Sequence, residues 1–331
     1  MIKQQKYRYV SLMSHIALTL LCTHGLMYLT NRLLSFVYTV AYFSYGNVFF
    51  VDFTFLLIDC VQFVACLFIP LKFFAYLRRN AFHEKVLPIE HPKASIDRII
   101  AIFLLGLAAN WIFAFVNISF VDSLLPMAIS GENEEYILGS QLTYGYQIVI
   151  YIISTAILPA IAEEYVFRKT ICHSLLPYGP KTAVVVSAVV FALMHTSAHK
   201  IGFTFLGGLF MGWLYVASKD IKVSMLFHFI HNLTSCISTI IYYKQGAEAY
   251  TSFVRGYAEK LLVVGIIALI YLIVRRKKMD EALVMITEEE GAEGKLLTFG
   301  ERFTGFFSPV MIIFVIATII QMYYYISFYL V

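Results

Sequence analysis

Long apolar stretches divided by short polar ones set the pattern of this chain from end to end. About 20 residues of helix cross roughly 30 Å of hydrocarbon. The stretches at 9–30, 49–77, 97–120, 145–167, 182–199, 201–217, 223–243, 259–274 and 307–329 approach or exceed that length. The eighth is short, and only a tight turn at His199-Lys200-Ile201 divides the fifth from the sixth. The pattern therefore predicts an all-α fold, a polytopic transmembrane helix bundle of eight to nine spans. Two connecting segments do not fit as lipid spans. Arg78 to Arg98, with Pro88 and Pro92, reads as a polar hinge, and Met279 to Arg302, with Glu288-Glu289-Glu290-Gly291, as a solvated loop with some helix. Three regions follow: 1–144 with three spans and the hinge, 145–243, and 244–331 with the last spans and the loop.

Composition sharpens this picture. Of 331 residues 60% are hydrophobic and 14% charged, whereas a soluble domain carries roughly 25% charged residues. That deficit excludes a water-facing surface. The net charge of +4 matters less than its placement. Of the 25 Lys and Arg, 19 fall on the side of the N-terminus and 5 on the other, with Lys72 inside the second stretch. This bias predicts a cytoplasmic N-terminus and, after nine crossings, a C-terminus outside. The acidic segment Gly131-Glu132-Asn133-Glu134-Glu135 then lies outside. The first stretch lacks a small-residue cleavage site, so it reads as a span and not as a cleaved leader. The five cysteines are scattered without a C-x-x-C pair and read as packing residues. The 23 Tyr and 29 Phe suit interfacial belts and core packing, not nucleic-acid stacking. No internal repeat is visible, which argues against a transporter built from duplicated halves.

The candidate chemistry lies between Ala162 and Asn232, in three clusters: Glu163-Glu164-x-x-x-Arg168, Phe191-x-x-x-His195 and His228-x-x-x-Asn232. An ionisable group within a span costs at least a few kcal/mol and by default faces the protein interior. Glu163 and Glu164 follow Pro159, where a missing backbone donor predicts a kink. Glu164 and Arg168 have the i,i+4 order that favours a helical ion pair, while Glu163 points about 100° away. Two readings of the acids stand open: an interfacial pair with Arg168 and Lys169, or a general base in a partly dry site. His228 and Asn232 share a helix face and can offer two donors to one oxygen, as a developing oxyanion requires. His231 lies on a neighbouring face and His199 near the outer end of its helix. Convergence of these groups on one wet cavity is physically cheaper than burying each apart.

In this order and on successive hydrophobic helices, the three clusters resemble those of the CAAX protease and bacteriocin-processing family (CPBP, also called Abi). The resemblance covers about 145–240. It implies a helical membrane endopeptidase, of a bacterial plasma membrane, that hydrolyses a peptide bond with activated water and no covalent intermediate. By the same resemblance Glu163 and His195 activate the water, His228 and Asn232 hold the oxyanion, and Glu164 and Arg168 support them. The implied partners are a peptide or protein substrate at the cytosolic leaflet and membrane lipid, with no nucleic acid. Glu with two His also forms a zinc set. The absence of H-E-x-x-H and the presence of Asn232 favour a site without metal or other cofactor. Two rival readings are a non-catalytic adaptor or immunity protein of the same fold and a proton-coupled transporter.

One expectation conflicts with the simple span count. Glu163 lies 5 residues from Arg168, and His195 lies 14 from Lys181. Straight helices from the inner surface would put them roughly 7 and 20 Å deep. They meet only if Lys169 to Pro180 dips into the membrane or the fifth helix begins deep. Elsewhere, Gly208-x-x-x-Gly212 predicts close helix packing. Asp52 and Asp59 in the second stretch read as salt-bridge partners or a second polar pocket. The sequon Asn232-Leu233-Thr234 falls within a span and reads as chance.

Overall fold

The computed structural model describes residues 2–45, 48–82, 94–124, 142, 145–275 and 297–328. Its elements are helices: α1 (Ile2–Tyr45), α2 (Val48–Phe82), α3 (Ile96–Leu124), α4 (Gly145–Tyr178), α5 (Pro180–Met194), α6 (Ala198–Ser218), α7 (Ile221–Gln245), α8 (Ala247–Val274), α9 (Phe299–Phe306) and α10 (Pro309–Phe328). Among the described residues seven helices are long and apolar enough to cross a membrane, or eight if α9 and α10, bent by 59°, count as one. The fold is an all-α polytopic bundle, and the chain is an integral membrane protein. The acidic loop at 131–135, Pro88 and Pro92 of the hinge, and Glu288 to Gly291 lie outside the described residues, as do the side chains of Asp52, Asp59 and His199.

Each helix turns one stripe inward. On α1 the stripe is Tyr9, Leu12, Met13, Ile16 and Leu20, at i, i+3, i+4 spacing and almost fully buried. On α10 it is Met311, Phe314 and Thr318. The opposite faces stay greasy, as a lipid-facing surface must: Val263, Ile266, Ile267 and Ile270 of α8 are all exposed. Around the 145–245 segment, α3 packs on α6 and α8, while α7 packs on α4, α6 and α8.

Helices α5 and α6 form an antiparallel hairpin whose closeness depends on glycine. A Cβ on Gly208 would come within 3.0 Å of the Ala188 Cα, and one on Gly212 within 3.2 Å of Val184. The small-residue face read from the sequence thus lets two backbones touch.

The structure corrects three span boundaries. The fifth stretch ends at Met194, and the turn that divides it from the sixth lies at 195–197, not at 199–201, which is already helix in α6. The fourth span does not end at 167: α4 continues to Tyr178, 34 residues in all. Arg168 therefore sits fully buried in the bundle and not in an inner loop, so it drops out of the charge count that oriented the chain. The added turns pack antiparallel to α5, with the Phe167 and Phe191 rings 5.0 Å apart. Because residue 167 lies level with 191, Glu163 and Glu164 are carried toward the end of α5 that bears His195. The depth conflict arose from stopping the span too soon. The eighth span, short in the sequence pattern, is 28 residues long because α8 begins at Ala247. Its charged first half, with Arg255, Glu259 and Lys260 exposed, hid the helix from a search for apolar runs.

Candidate active site

Two wide, π-type turns interrupt α4 on either side of the acids, at Ile153–Ile157 and Tyr165–Cys172, leaving a short regular segment Leu158–Glu164 between them. Such turns recur at functional positions because they redirect a helix face without ending the helix. The first has a local cause. Pro159 has no N–H to return to the carbonyl of Thr155 four residues back. That carbonyl instead accepts a hydrogen bond from Asn232 Nδ2 of α7 at 3.1 Å. The proline thus creates the place where α7 is fastened to α4.

Just beyond it the acids part company. Glu164 is fully buried and faces Arg168, with Nε to Oε2 at 3.3 Å and neither side chain exposed. Its other oxygen accepts from His228 Nδ1 at 3.2 Å. Arg168 in turn donates from Nη2 to the Gly208 carbonyl at 3.3 Å and lies over the Phe191 ring at 4.5 Å. Its guanidinium therefore links α4, α5 and α6. The interfacial pairing weighed for Arg168 and Glu164 is excluded by their burial. Glu163 is the less enclosed acid, with 16% of its side chain exposed, and its Oε2, itself buried, lies 3.9 Å from His228 Nε2. That separation is too long for a direct hydrogen bond.

The two histidines flank one aromatic ring. The Phe191 centroid is 4.8 Å from His195 and 5.9 Å from His228, both edge to face. His195 Nδ1 meets the Phe191 carbonyl at 2.9 Å. A carbonyl only accepts, so Nδ1 carries the proton and Nε2 keeps its lone pair. By the same reasoning the ionised Glu164 fixes the proton of His228 on Nδ1, leaving Nε2 toward Glu163. This carboxylate–imidazole contact orients the ring in the way that supporting hydrogen bonds fix reactive histidines elsewhere.

Of the six residues singled out from the sequence, Glu163, Glu164, Arg168 and His228 form one contact network across α4 and α7, and Asn232 ties α7 to the Thr155 carbonyl of α4. His195 joins them through Phe191. One N–H of Asn232 is taken by Thr155, so a single N–H remains for a substrate. His231 turns the other way, with Nδ1 3.4 Å from Asn110 Nδ2 of α3 and its ring against Trp111. Asn110 was missed in the sequence, although an asparagine in the middle of an apolar run was the available signal. Also missed was the buried pair His173–Tyr215, 2.8 Å apart between α4 and α6. Among the described residues no group of three or more His, Cys, Asp or Glu side chains stands close enough to hold a metal ion.

Fold and site together define an integral membrane helix bundle with a buried carboxylate–imidazole cluster on successive spans. Residues 145–234 match the family model described as Type II CAAX prenyl endopeptidase Rce1-like. The resemblance read from the three clusters is met by this match, which takes in all three and leaves 1–144 and 235–331 outside. No curated protein and no solved structure matches the chain.

Proposed function

We propose that this protein is an intramembrane endopeptidase hydrolysing a peptide bond with water activated at Glu163. The observation that carries the reading is the asymmetry of the acids: Glu164 is locked by Arg168 and His228, while Glu163 is less enclosed and 3.9 Å from an oriented imidazole nitrogen. A water within hydrogen-bond reach of Glu163 and the Nε2 lone pair of His195 attacks the scissile carbonyl carbon. Its proton passes to Glu163. The resulting oxyanion is held by His228, whose ring Glu164 orients through Nδ1, and by the remaining Asn232 N–H. Collapse of the tetrahedral intermediate breaks the C–N bond, and Glu163 returns the proton to the leaving amine.

In this reading residues 145–243 form the catalytic core, flanked by 1–144 and 244–331. The N-terminus is cytoplasmic in a bacterial plasma membrane. The substrate is a peptide or protein tail at the cytosolic leaflet, of the CAAX type or a bacteriocin-like peptide, and no metal or other cofactor takes part. The deciding experiment is a cleavage assay on purified full-length protein with a quenched-fluorescence library of unmodified and S-farnesylated C-terminal peptides. Glu163→Gln and His195→Ala should each lower turnover by about 10²–10⁴-fold, with insertion and helix content unchanged. Turnover at the wild-type level in Glu163→Gln would refute the hydrolase. A cellular phenotype that survives both substitutions would favour the adaptor, and pH-driven flux in liposomes the transporter.

A further inference from the structure

Helix α5 is only 15 residues long, about 22 Å at 1.5 Å per residue, short of roughly 30 Å of hydrocarbon. Its C-terminal end is met by His24, which lies midway along the 44-residue α1. The end of α5 therefore stops at membrane depth, where every backbone polar group needs an internal partner. The last four carbonyls of a helix have none within it.

Each of the four can be traced. The Phe191 carbonyl accepts from His195 Nδ1, that of Ala192 from the His195 amide at 3.1 Å, and that of Leu193 from the Thr196 amide at 3.2 Å. The Met194 carbonyl takes the ring of His24, with Nε2 at 3.5 Å. Three caps come from the turn itself, and the fourth comes from a helix outside the family match. The turn also needs outside support for a second reason. Thr196 stands at φ 46, a left-handed conformation that a β-branched residue adopts only when its surroundings enforce it. The His24 ring also meets Phe314 of α10, centroids 5.6 Å apart, a residue itself fully buried.

We propose that His24 is a positioning residue for the reaction: its Nε2–H caps the Met194 carbonyl and so holds the strained turn that aims His195. The role assigned to His195 rests on the endopeptidase reading, but the cap itself does not. The N-terminal span thereby becomes part of the active site, held against both α10 and the α5 turn.

Two variants of the full-length protein test this in lipid nanodiscs. In His24→Gln the side-chain Nε2 lies the same number of bonds from the backbone, so the donor is kept. In His24→Leu it is lost while comparable apolar bulk remains. His24→Leu should lower kcat about tenfold, one misplaced hydrogen bond expressed in the barrier, with KM near wild type and a lowered thermal midpoint, since the Met194 carbonyl is left without its donor. His24→Gln should restore kcat to within about threefold. Hydrogen exchange at the His195 and Thr196 amides should speed up in His24→Leu, and stay at the wild-type rate in His24→Gln and Glu163→Gln. Unchanged kcat and exchange in His24→Leu, or a His24→Gln as impaired as His24→Leu, would overturn the proposal. Faster exchange in His24→Leu beside a fully active Glu163→Gln would instead leave the cap standing and remove the proposed chemistry.

Discussion

Arg168→Met separates the energetic role of the buried ion pair from its chemical one. The substitution keeps most of the apolar stem and removes the guanidinium. In the native protein that group is fully buried and makes three contacts: Glu164 at 3.3 Å, the Gly208 carbonyl at 3.3 Å, and the face of Phe191 at 4.5 Å. Breaking a buried pair by removing one partner costs about 3–5 kcal/mol, because the other charge stays behind. Glu164 would be left with the His228 Nδ1–H and the Ser224 hydroxyl, neither of which carries the lost charge of Arg168. The lost charged hydrogen bond to Gly208 and the cation–π contact act in the same direction, although such terms do not add. A destabilisation of about 3–5 kcal/mol is therefore expected, read as a shift in the unfolding midpoint by chemical titration in mixed micelles. Arg168→Lys should fall between the two, since an ammonium can meet Glu164 but cannot fork to Gly208 while lying over Phe191. The double variant Glu164→Leu/Arg168→Met, having no orphaned charge, should be more stable than Arg168→Met alone. It should still be inactive, because His228 has lost its orienting carboxylate. An Arg168→Met protein within about 1 kcal/mol of wild type would refute the claim that this pair is buried and uncompensated.

Other outcomes follow from single contacts. Asn232→Ala should cost about 1–3 kcal/mol by leaving the Thr155 carbonyl short of a donor. In a Pro159→Ala background, where residue 159 regains its N–H, the same change should cost less, and a double-mutant cycle measures the difference. Gly208→Val should push α5 from α6 and destabilise by about 1–3 kcal/mol, with weakened cleavage because the Arg168 acceptor moves; wild-type stability would show that the 3.0 Å approach to Ala188 is not rigid. Prolonged treatment with a chelator should leave turnover unchanged, and activity lost and then restored by zinc would replace the metal-free mechanism.

Much of the fold was legible in one dimension. Lipid demands long apolar helices, so composition and run length announce them without reference to their neighbours. The order of the polar clusters was equally plain, since each ionisable residue stands out against an apolar run. Where helices leave the hydrocarbon was less plain. Arg168 looks like a loop residue because charge ordinarily marks a membrane boundary, yet Glu164 and Gly208 hold it inside the bundle. The first half of α8 was hidden for the opposite reason, being helix without being apolar.

What the sequence determined by itself was thus the class of molecule, an all-α membrane bundle, and which ionisable residues stand within its apolar runs, because burial cost acts on each residue separately. Only the tertiary structure decided which partner each one met. It set Glu164 with Arg168 and His228, tied Asn232 to the carbonyl that Pro159 cannot serve, and turned His231 toward Asn110. It also brought His24 to the turn of His195, 170 residues further along the chain. Such pairings depend on the rotation and depth at which helices dock, and those follow from close contacts such as Gly208 on Ala188 that no periodicity encodes.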